Sequence, residues 1–187
     1  LATVNVPAQQ PGHPQTADLL VGPIAGPWST LSDRALRLQQ PIVRDGAVLW
    51  LRLDALQEDG RLALTLLDHE AVERSGVVDW WQLIEAGDDV LLYELAGPDA
   101  RLHVLTGDRP RTLELGAGQA RNFAAEGDRL WMHWRAADGQ ELLRTVDLST
   151  DQRADRPARG FGQRSFVVGD GAPTWDREGR HPERQTS

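Results

Sequence analysis

The chain has 187 residues, 40% of them hydrophobic and 26% charged, a composition typical of one globular domain that is large enough to bury a core. Its formal net charge of −8 disfavours nucleic acid as a partner, because an acidic surface repels phosphate backbones. All 20 basic residues are Arg, and the absence of Lys and Cys excludes Schiff-base lysines, thiol nucleophiles, cysteine-ligated zinc and disulfides.

The N-terminal residues 1–16 contain three Pro and three Gln and show no periodicity, which predicts a flexible, extended arm. Their composition is typical of the leader that follows a removed export signal or lipid anchor, so we expect an extracytoplasmic protein of the periplasm, envelope or exterior. A linker from an upstream domain is the alternative. Beyond the arm, the pattern predicts short extended pieces at 18–21 and 28–31 and one helical turn at 32–38.

A short unit then recurs, made of an extended run, an acidic-glycine turn and an apolar-aromatic run. Its copies cover residues 41–53, 82–95, 122–134 and, more faintly, 165–175. The glycines of the four turns, which are Gly46, Gly87, Gly127 and Gly169, follow one another at steps of 41, 40 and 42 residues. A near-constant period in this range is typical of a stacked or radial β-repeat, chiefly the propeller blade.

Further turns at 58–60, 97–99 and 137–139 are each followed by another predicted strand. Each repeat therefore consists of about four short antiparallel strands. We expect an all-β repeat domain over residues 17–179, propeller-like, with four blades or as part of a larger ring. A two-sheet β-sandwich is the alternative. The polar residues 180–187 predict a disordered tail, and no apolar run reaches the roughly 18 residues that span a bilayer.

Residues 173–179 read Pro-Thr-Trp-Asp-Arg-Glu-Gly and resemble the Pro-x-Trp-x-x-x-Gly stretch of TolB-like propeller repeats. The resemblance implies that this Trp anchors the core between blades and that the acidic-glycine turn closes a hairpin. The usual Ser-Pro-Asp-Gly is replaced here by Asp-Arg-Glu-Gly. Because no strands follow the last hairpin, we expect 18–21 and 28–31 to complete its sheet and close the ring; completion by another subunit is the alternative.

The residues that could carry chemistry form no recognisable catalytic or metal-binding pattern. His103 and His133 lie in predicted strands without H-x-H or H-E-x-x-H spacing, so we interpret both as strand histidines. The acidic turns supply only weak calcium candidates at Asp88, Asp89 and Asp128, without a D-x-D-x-D-G loop. No Ser lies in G-x-S-x-G. We therefore predict neither a cofactor nor a metal, and we lean against an enzyme.

Seven Trp residues are many for a chain of this length. Trp50, Trp131 and Trp134 fall inside apolar runs and are expected in the core. Adjacent residues of a strand point to opposite faces, so only one of Trp80 and Trp81 belongs to the core. Exposed Trp side chains make good platforms for protein or glycan. The candidates for that role are Trp28, Trp81 and Trp175.

Together these features favour a non-catalytic binding scaffold of the bacterial envelope or exterior, an accessory subunit of a larger assembly with a protein partner. Two alternatives stay open. A glycan-active hydrolase or lyase at the propeller rim would need converging carboxylates beside exposed Trp, and a small-ligand sensor would need a closed apolar pocket. Fold analogy does not choose among the three, because propellers host all of them.

Overall fold

The computed structural model describes residues 2–7, 17–22, 25, 27, 29–35, 41–44, 47–68, 71–106, 110–158, 166–169 and 172–175. All regular structure within these ranges is β-strand, in sixteen strands, so the protein is all-β as predicted. Since these ranges contain no helix, they contain none that is long and apolar enough to cross a membrane.

The N-terminal part forms a three-stranded antiparallel sheet in the order β1-β2-β3. Its strands are β1 (Ala2–Pro7), β2 (Ala17–Gly22) and β3 (Ser29–Ala35). Residues 2–7 of the expected arm are therefore a paired strand, in keeping with its three β-branched residues, Thr3, Val4 and Val6. The helical turn predicted from Ser32 is wrong up to Ala35, because Ser32 pairs with Leu19 in the sheet.

The next sheet has four antiparallel strands joined as a meander, β4-β5-β6-β7. These are β4 (Ile42–Arg44), β5 (Ala47–Leu56), β6 (Leu62–Asp68) and β7 (Ala71–Val78). Residues 48–51 are buried in succession, as expected for a strand that is covered on both faces. Val48, Trp50 and Leu67 form one core cluster, against which Val43 packs.

Seven further strands follow in sequence order, again antiparallel between neighbours. They are β8 (Trp80–Ala86), β9 (Asp89–Ala96), β10 (Asp99–Val104), β11 (Arg111–Glu126), β12 (Arg129–Ala136), β13 (Glu141–Asp147) and β14 (Gln152–Pro157). The inner strands β9 and β12 each contain a run of five buried residues, whereas every residue of β14 is exposed.

The long strand β11 divides this sheet into two parts. Residues 111–117 pair with β10, and residues 118–126 pair with β12. The change of partner falls at Gly116 and Gly118, whose φ angles are +88° and +145°, values that favour glycine. We call β4–β7 the first meander, β8 to residue 117 the second, and residue 118 to β14 the third; each contains four strands.

A hairpin of β15 (Phe166–Gly169) and β16 (Ala172–Trp175) lies where the fourth apolar-aromatic unit is predicted. It forms a two-stranded sheet of its own, and β2 and β3 belong to the sheet of β1. The expected completion of the last hairpin by residues 18–21 and 28–31 therefore differs from the observed pairing. The Asp-Arg-Glu-Gly end of the propeller-like heptad, residues 176–179, lies outside the described residues.

The chain divides into two compact units, residues 1–83 with 92–97, and residues 84–91 with 98–187. Each has a core of strand residues that are covered on both faces. The largest fully buried side chains of the first unit are Trp50, Leu51, Leu64, Leu66, Trp81, Leu92 and Tyr93. Those of the second unit are Leu91, Leu102, Leu115 and Trp134.

Candidate functional site

The three candidate binding tryptophans are not brought together by the described structure. Trp28 lies outside the described residues, and Trp175 ends β16 with its side chain outside the described part. Trp81 is only 1% exposed, whereas its neighbour Trp80 is 37% exposed. The expectation that Trp81 forms an exposed platform is therefore corrected, and Trp80 is the member of the pair that reaches solvent.

Trp81 is buried because the core supplies both space and a hydrogen-bond partner for its indole. The indole Nε1 donates to Oε2 of the buried Glu94 on the next strand, at 2.9 Å. A Cβ atom built on Gly76 would lie 3.2 Å from the indole ring, so this glycine leaves room for the ring. Trp81 and Glu94 therefore form an internal structural contact, in which a carboxylate satisfies an otherwise costly buried N–H.

The weak calcium candidates occupy turns and a strand start. Asp88 and Asp128 are exposed in the β8–β9 and β11–β12 turns, and Asp89 begins β9. Within the described ranges, no three side chains of His, Asp or Glu gather closely enough to hold a metal ion. The two turns themselves do meet, since a Cβ atom on Gly87 would lie 2.7 Å from the carbonyl oxygen of Gly127.

Three arginines connect the end of the second meander to the third, and we call Arg111, Arg144 and Arg153 the arginine seam. Arg111 donates from Nε to Asp151 at 2.9 Å and from Nη2 to the carbonyl oxygen of Leu148. Arg153 donates to the carbonyl oxygen of Glu114 on β11. These bonds satisfy carbonyls and carboxylates of neighbouring strands, so the seam stabilises the packing of one meander against the next.

Arg144 is the most fully engaged member of the seam. Its Nε and Nη2 donate to the two carboxylate oxygens of Asp155 at 2.8 and 2.7 Å, while Nη1 donates to the carbonyl oxygen of Leu115 at 2.6 Å. Its guanidinium carbon lies 4.1 Å from the ring centroid of the buried Trp134. The hydrogen bonds from Arg144 hold the pKa of Asp155 below its ordinary value. Only the planar guanidinium supports all of these contacts at once.

A second polar group lies on β11, β12 and β13 of the third meander, and we call Arg121, His133, Arg135 and Glu141 the β12 cluster. His133 and Arg135 are two residues apart on β12 and so share one face. Arg135 is directly opposite Glu141 on β13. Arg121 is the extra residue of a β-bulge between Ala120 and Asn122, and it therefore has no cross-strand partner in the ladder.

Glu141 is the centre of this cluster. Its Oε2 lies 2.7 Å from Nε2 of His133, whose side chain is 3% exposed. Its Oε1 lies 3.8 Å from Nη1 of Arg121 and 3.9 Å from Nε of Arg135. The last two distances are longer than an N–H···O hydrogen bond, so both guanidiniums attract the carboxylate without bonding to it.

The two histidines agree with their interpretation as strand histidines. His103 is buried, and its Nδ1 lies 2.8 Å from Oγ1 of Thr112, its cross-strand neighbour. His133 is buried beside Glu141. The sequence did not indicate that His133 joins a charged cluster, because that depends on strand register and on the bulge at Arg121. The spacing of His133 and Arg135 on one strand face is the only sequence signal of the cluster.

Comparisons of the chain with models of protein families, with curated proteins and with solved structures found no match. Function must therefore be inferred from the contacts themselves. The seam arginines are occupied in holding strands together. The guanidiniums of Arg121 and Arg135, by contrast, make no hydrogen bond within the described part of the chain, and the two side chains are 30% and 51% exposed. The β12 cluster is thus the candidate for contact with a ligand.

Proposed function

We propose that this chain is a non-catalytic scaffold that binds another protein, and that its four-stranded meanders pack as successive blades of a propeller-like repeat. The observation that carries the proposal is that contacts join equivalent positions of successive meanders. Gly87 and Gly127 are 40 residues apart, and so are Arg111 and Asp151. Both pairs lie within the second compact unit.

Contacts at the repeat spacing support radial or stacked packing for a geometric reason. When repeated units pack in the same orientation, each unit contacts its neighbours, and contacts between neighbours recur at an offset close to the repeat length. The contacts of Gly87 with Gly127 and of Arg111 with Asp151 both occur at an offset of 40 residues, as this packing predicts. The strand β15, which lies in the fourth predicted unit, also contacts β11.

A binding role is supported by what the exposed surface offers. Most arginines with assigned hydrogen bonds are engaged with acidic neighbours or backbone carbonyls, as Arg144 is with Asp155. Three large apolar side chains of the first unit, Leu56, Val77 and Trp80, are exposed. Of these three, Trp80 is the residue type that contributes most strongly to protein-binding surfaces. A scaffold needs only such a rigid surface and no reactive group.

We place this scaffold in the bacterial envelope or exterior, as an accessory subunit of a larger assembly. The support is the expectation, drawn from the three Pro and three Gln of residues 1–16, that this segment belongs to an exported protein. Fractionation of source cells with an antibody against the chain tests this placement. We expect the protein in the periplasmic, envelope or secreted fraction, and recovery in the cytosol alone would contradict it.

Crosslinking and native mass spectrometry in an extract of source cells test the scaffold proposal. The chain has no Lys, so the crosslinker should couple carboxylates, of which Asp and Glu supply 28. We expect a stable complex heavier than the 20.7 kDa chain, with one recurrent partner. Trp80→Ser should weaken that complex, while Arg129→Gln, an exposed change on β12, should not. A monomer that cleaves polysaccharides would instead support the glycan-active alternative.

A further inference from the structure

We propose that the β12 cluster is a binding site for a carboxylate group, with Arg121 and Arg135 as the recognising side chains. The proposal concerns four residues of the second compact unit and does not depend on the scaffold role or on propeller packing. Glu141 supplies the protein's own carboxylate beside the same two guanidiniums, and it therefore competes with the ligand for them.

The first argument is that two guanidiniums lie near the same carboxylate oxygen, while their N–H donors make no hydrogen bonds in the part of the chain that the structure describes. Nη1 of Arg121 and Nε of Arg135 both lie within 4.0 Å of the same oxygen, Oε1 of Glu141. Neither guanidinium has a hydrogen bond within the described residues. Arg144 shows the contrasting state, since its side chain is 12% exposed and its donors are engaged with Asp155 and Leu115. Arg121 and Arg135 keep their hydrogen-bonding capacity for another acceptor.

The second argument is that the local frame fixes this arrangement. Arg135 is held by the ladder opposite Glu141, and Arg121 is directed by the bulge beside it. The buried His133 contacts Oε2 of Glu141, which leaves Oε1 as the oxygen that faces the arginines. Side chains placed by paired strands are held more closely than side chains placed by loops.

The third argument concerns charge and shape. The two arginines outnumber the one glutamate beside them, so these three side chains carry a formal charge of about +1, in a protein whose net charge is −8. A carboxylate is planar, carries one negative charge and accepts two parallel N–H bonds from a guanidinium. An entering carboxylate replaces contacts of 3.8 and 3.9 Å by hydrogen bonds, while Glu141 remains beside His133.

Calorimetric and NMR titrations of the full chain with succinate, with a short Asp/Glu peptide and with inorganic phosphate, at constant ionic strength, test the assignment. We expect saturable binding of a carboxylate probe that perturbs the amides of residues 119–123 and 133–141. Arg121→Gln and Arg135→Gln should each weaken binding by about tenfold or more, the loss expected for a charge-assisted hydrogen bond. Arg129→Gln is the matched control, because Arg129 is exposed on the same face of β12 at its other end.

The variant Glu141→Gln distinguishes a binding site from a purely structural cluster, because only a binding site should gain affinity for the carboxylate probe. Because this change removes the carboxylate that competes with the ligand, it should tighten binding by about tenfold. This test remains valid even if the two arginine variants fail to fold. Tighter binding of the peptide than of succinate would assign an acidic segment of a partner, and the reverse order a free acid; both uphold the site. The site is overturned if no carboxylate probe saturates, if Arg121→Gln matches Arg129→Gln, if Glu141→Gln weakens binding, or if phosphate binds more tightly than both carboxylate probes.

Discussion

Gly87 and Gly127 occupy the same place in two acidic-glycine turns, and their backbones touch. A Cβ atom on Gly87 would lie 2.7 Å from the carbonyl oxygen of Gly127 and 3.3 Å from its Cα. Both glycines have positive φ, +56° at Gly87 and +53° at Gly127. Glycine is therefore required at position 87 for two reasons, the left-handed conformation and the close approach of the neighbouring turn.

Replacing each glycine by alanine separates these two requirements. Gly127→Ala should cost only the conformational strain, about 1–2 kcal/mol, because nothing lies within 4 Å of its Cβ position. Gly87→Ala should cost about 1–3 kcal/mol more, since the added methyl overlaps backbone atoms that cannot move aside. Urea unfolding measures both free energies. Equal losses in the two variants would mean that the turns are not in contact in solution.

Arg144 should be the most important arginine of the seam for stability. Arg144→Gln removes the bidentate pair with Asp155 and the contact over Trp134, and we expect a loss of about 2–3 kcal/mol in the free energy of unfolding. Arg144→Lys should recover less than half of it, because an ammonium cannot bond three acceptors in one plane. Arg129→Gln should change stability by no more than about 0.5 kcal/mol. Full recovery by Lys would show that charge alone matters.

The two adjacent tryptophans should respond very differently to phenylalanine. Trp81→Phe removes the indole N–H that is bonded to buried Glu94, and we expect a loss of about 1–3 kcal/mol. Trp80→Phe should be nearly neutral, because Trp80 is partly exposed. Thermal or urea unfolding of both variants checks the assignment of Trp81 to the core. The opposite ranking would restore Trp81 as the exposed member of the pair.

The Arg144–Asp155 pair should make stability depend on pH in the acid range. The pKa of Asp155 is lowered in the folded state, chiefly by hydrogen bonds from Arg144. A lowered folded pKa stabilises the protein above the unfolded pKa of about 3.9, and this contribution is lost as pH falls through the folded value. The stability difference between the wild type and Asp155→Asn should therefore shrink below about pH 4.

Urea unfolding from pH 7 to pH 3 measures this dependence, and Arg144→Gln supplies the control background. In that background Asp155 has lost its principal hydrogen-bond donor, so the effect of Asp155→Asn should vary much less with pH. An acid dependence that is the same with and without Arg144 would contradict the assigned cause.

Sequence reasoning predicted the strands that are apolar runs bounded by turns, and it missed β14, whose residues are mostly polar and all exposed, and β1, which lies in the Pro-rich N-terminal segment. Asp-Gly and Gly-Asp turns located β5, β9 and β12, because buried runs between turn residues are unambiguous. The strand β14 was not predicted, since all of its residues are exposed and it is held by pairing with β13 and by Arg144 and Arg153. Such a strand has no hydrophobic period of its own.

The site was less predictable than the fold because it depends on register. The pattern showed that only one of Trp80 and Trp81 could be buried, but the bend at Asp79 between β7 and β8 resets the alternation and decides which one. Likewise, the bulge that directs Arg121 towards Glu141 is not signalled by any particular residue type, so the sequence does not reveal it. The 40-residue period alone does not predict contacts between residues 40 apart. Such contacts also require that neighbouring meanders pack in the same orientation.

The most direct test of the account is an NMR measurement of proximity between the two acidic-glycine turns. With Gly87 and Gly127 assigned in the full chain, in-register packing predicts nuclear Overhauser effects from the Hα protons of Gly87 to the protons of Gly127 and Asp128, since these backbones are in contact. Cross-peaks within each hairpin but none between the two turns would contradict in-register packing, and with it the propeller-like arrangement.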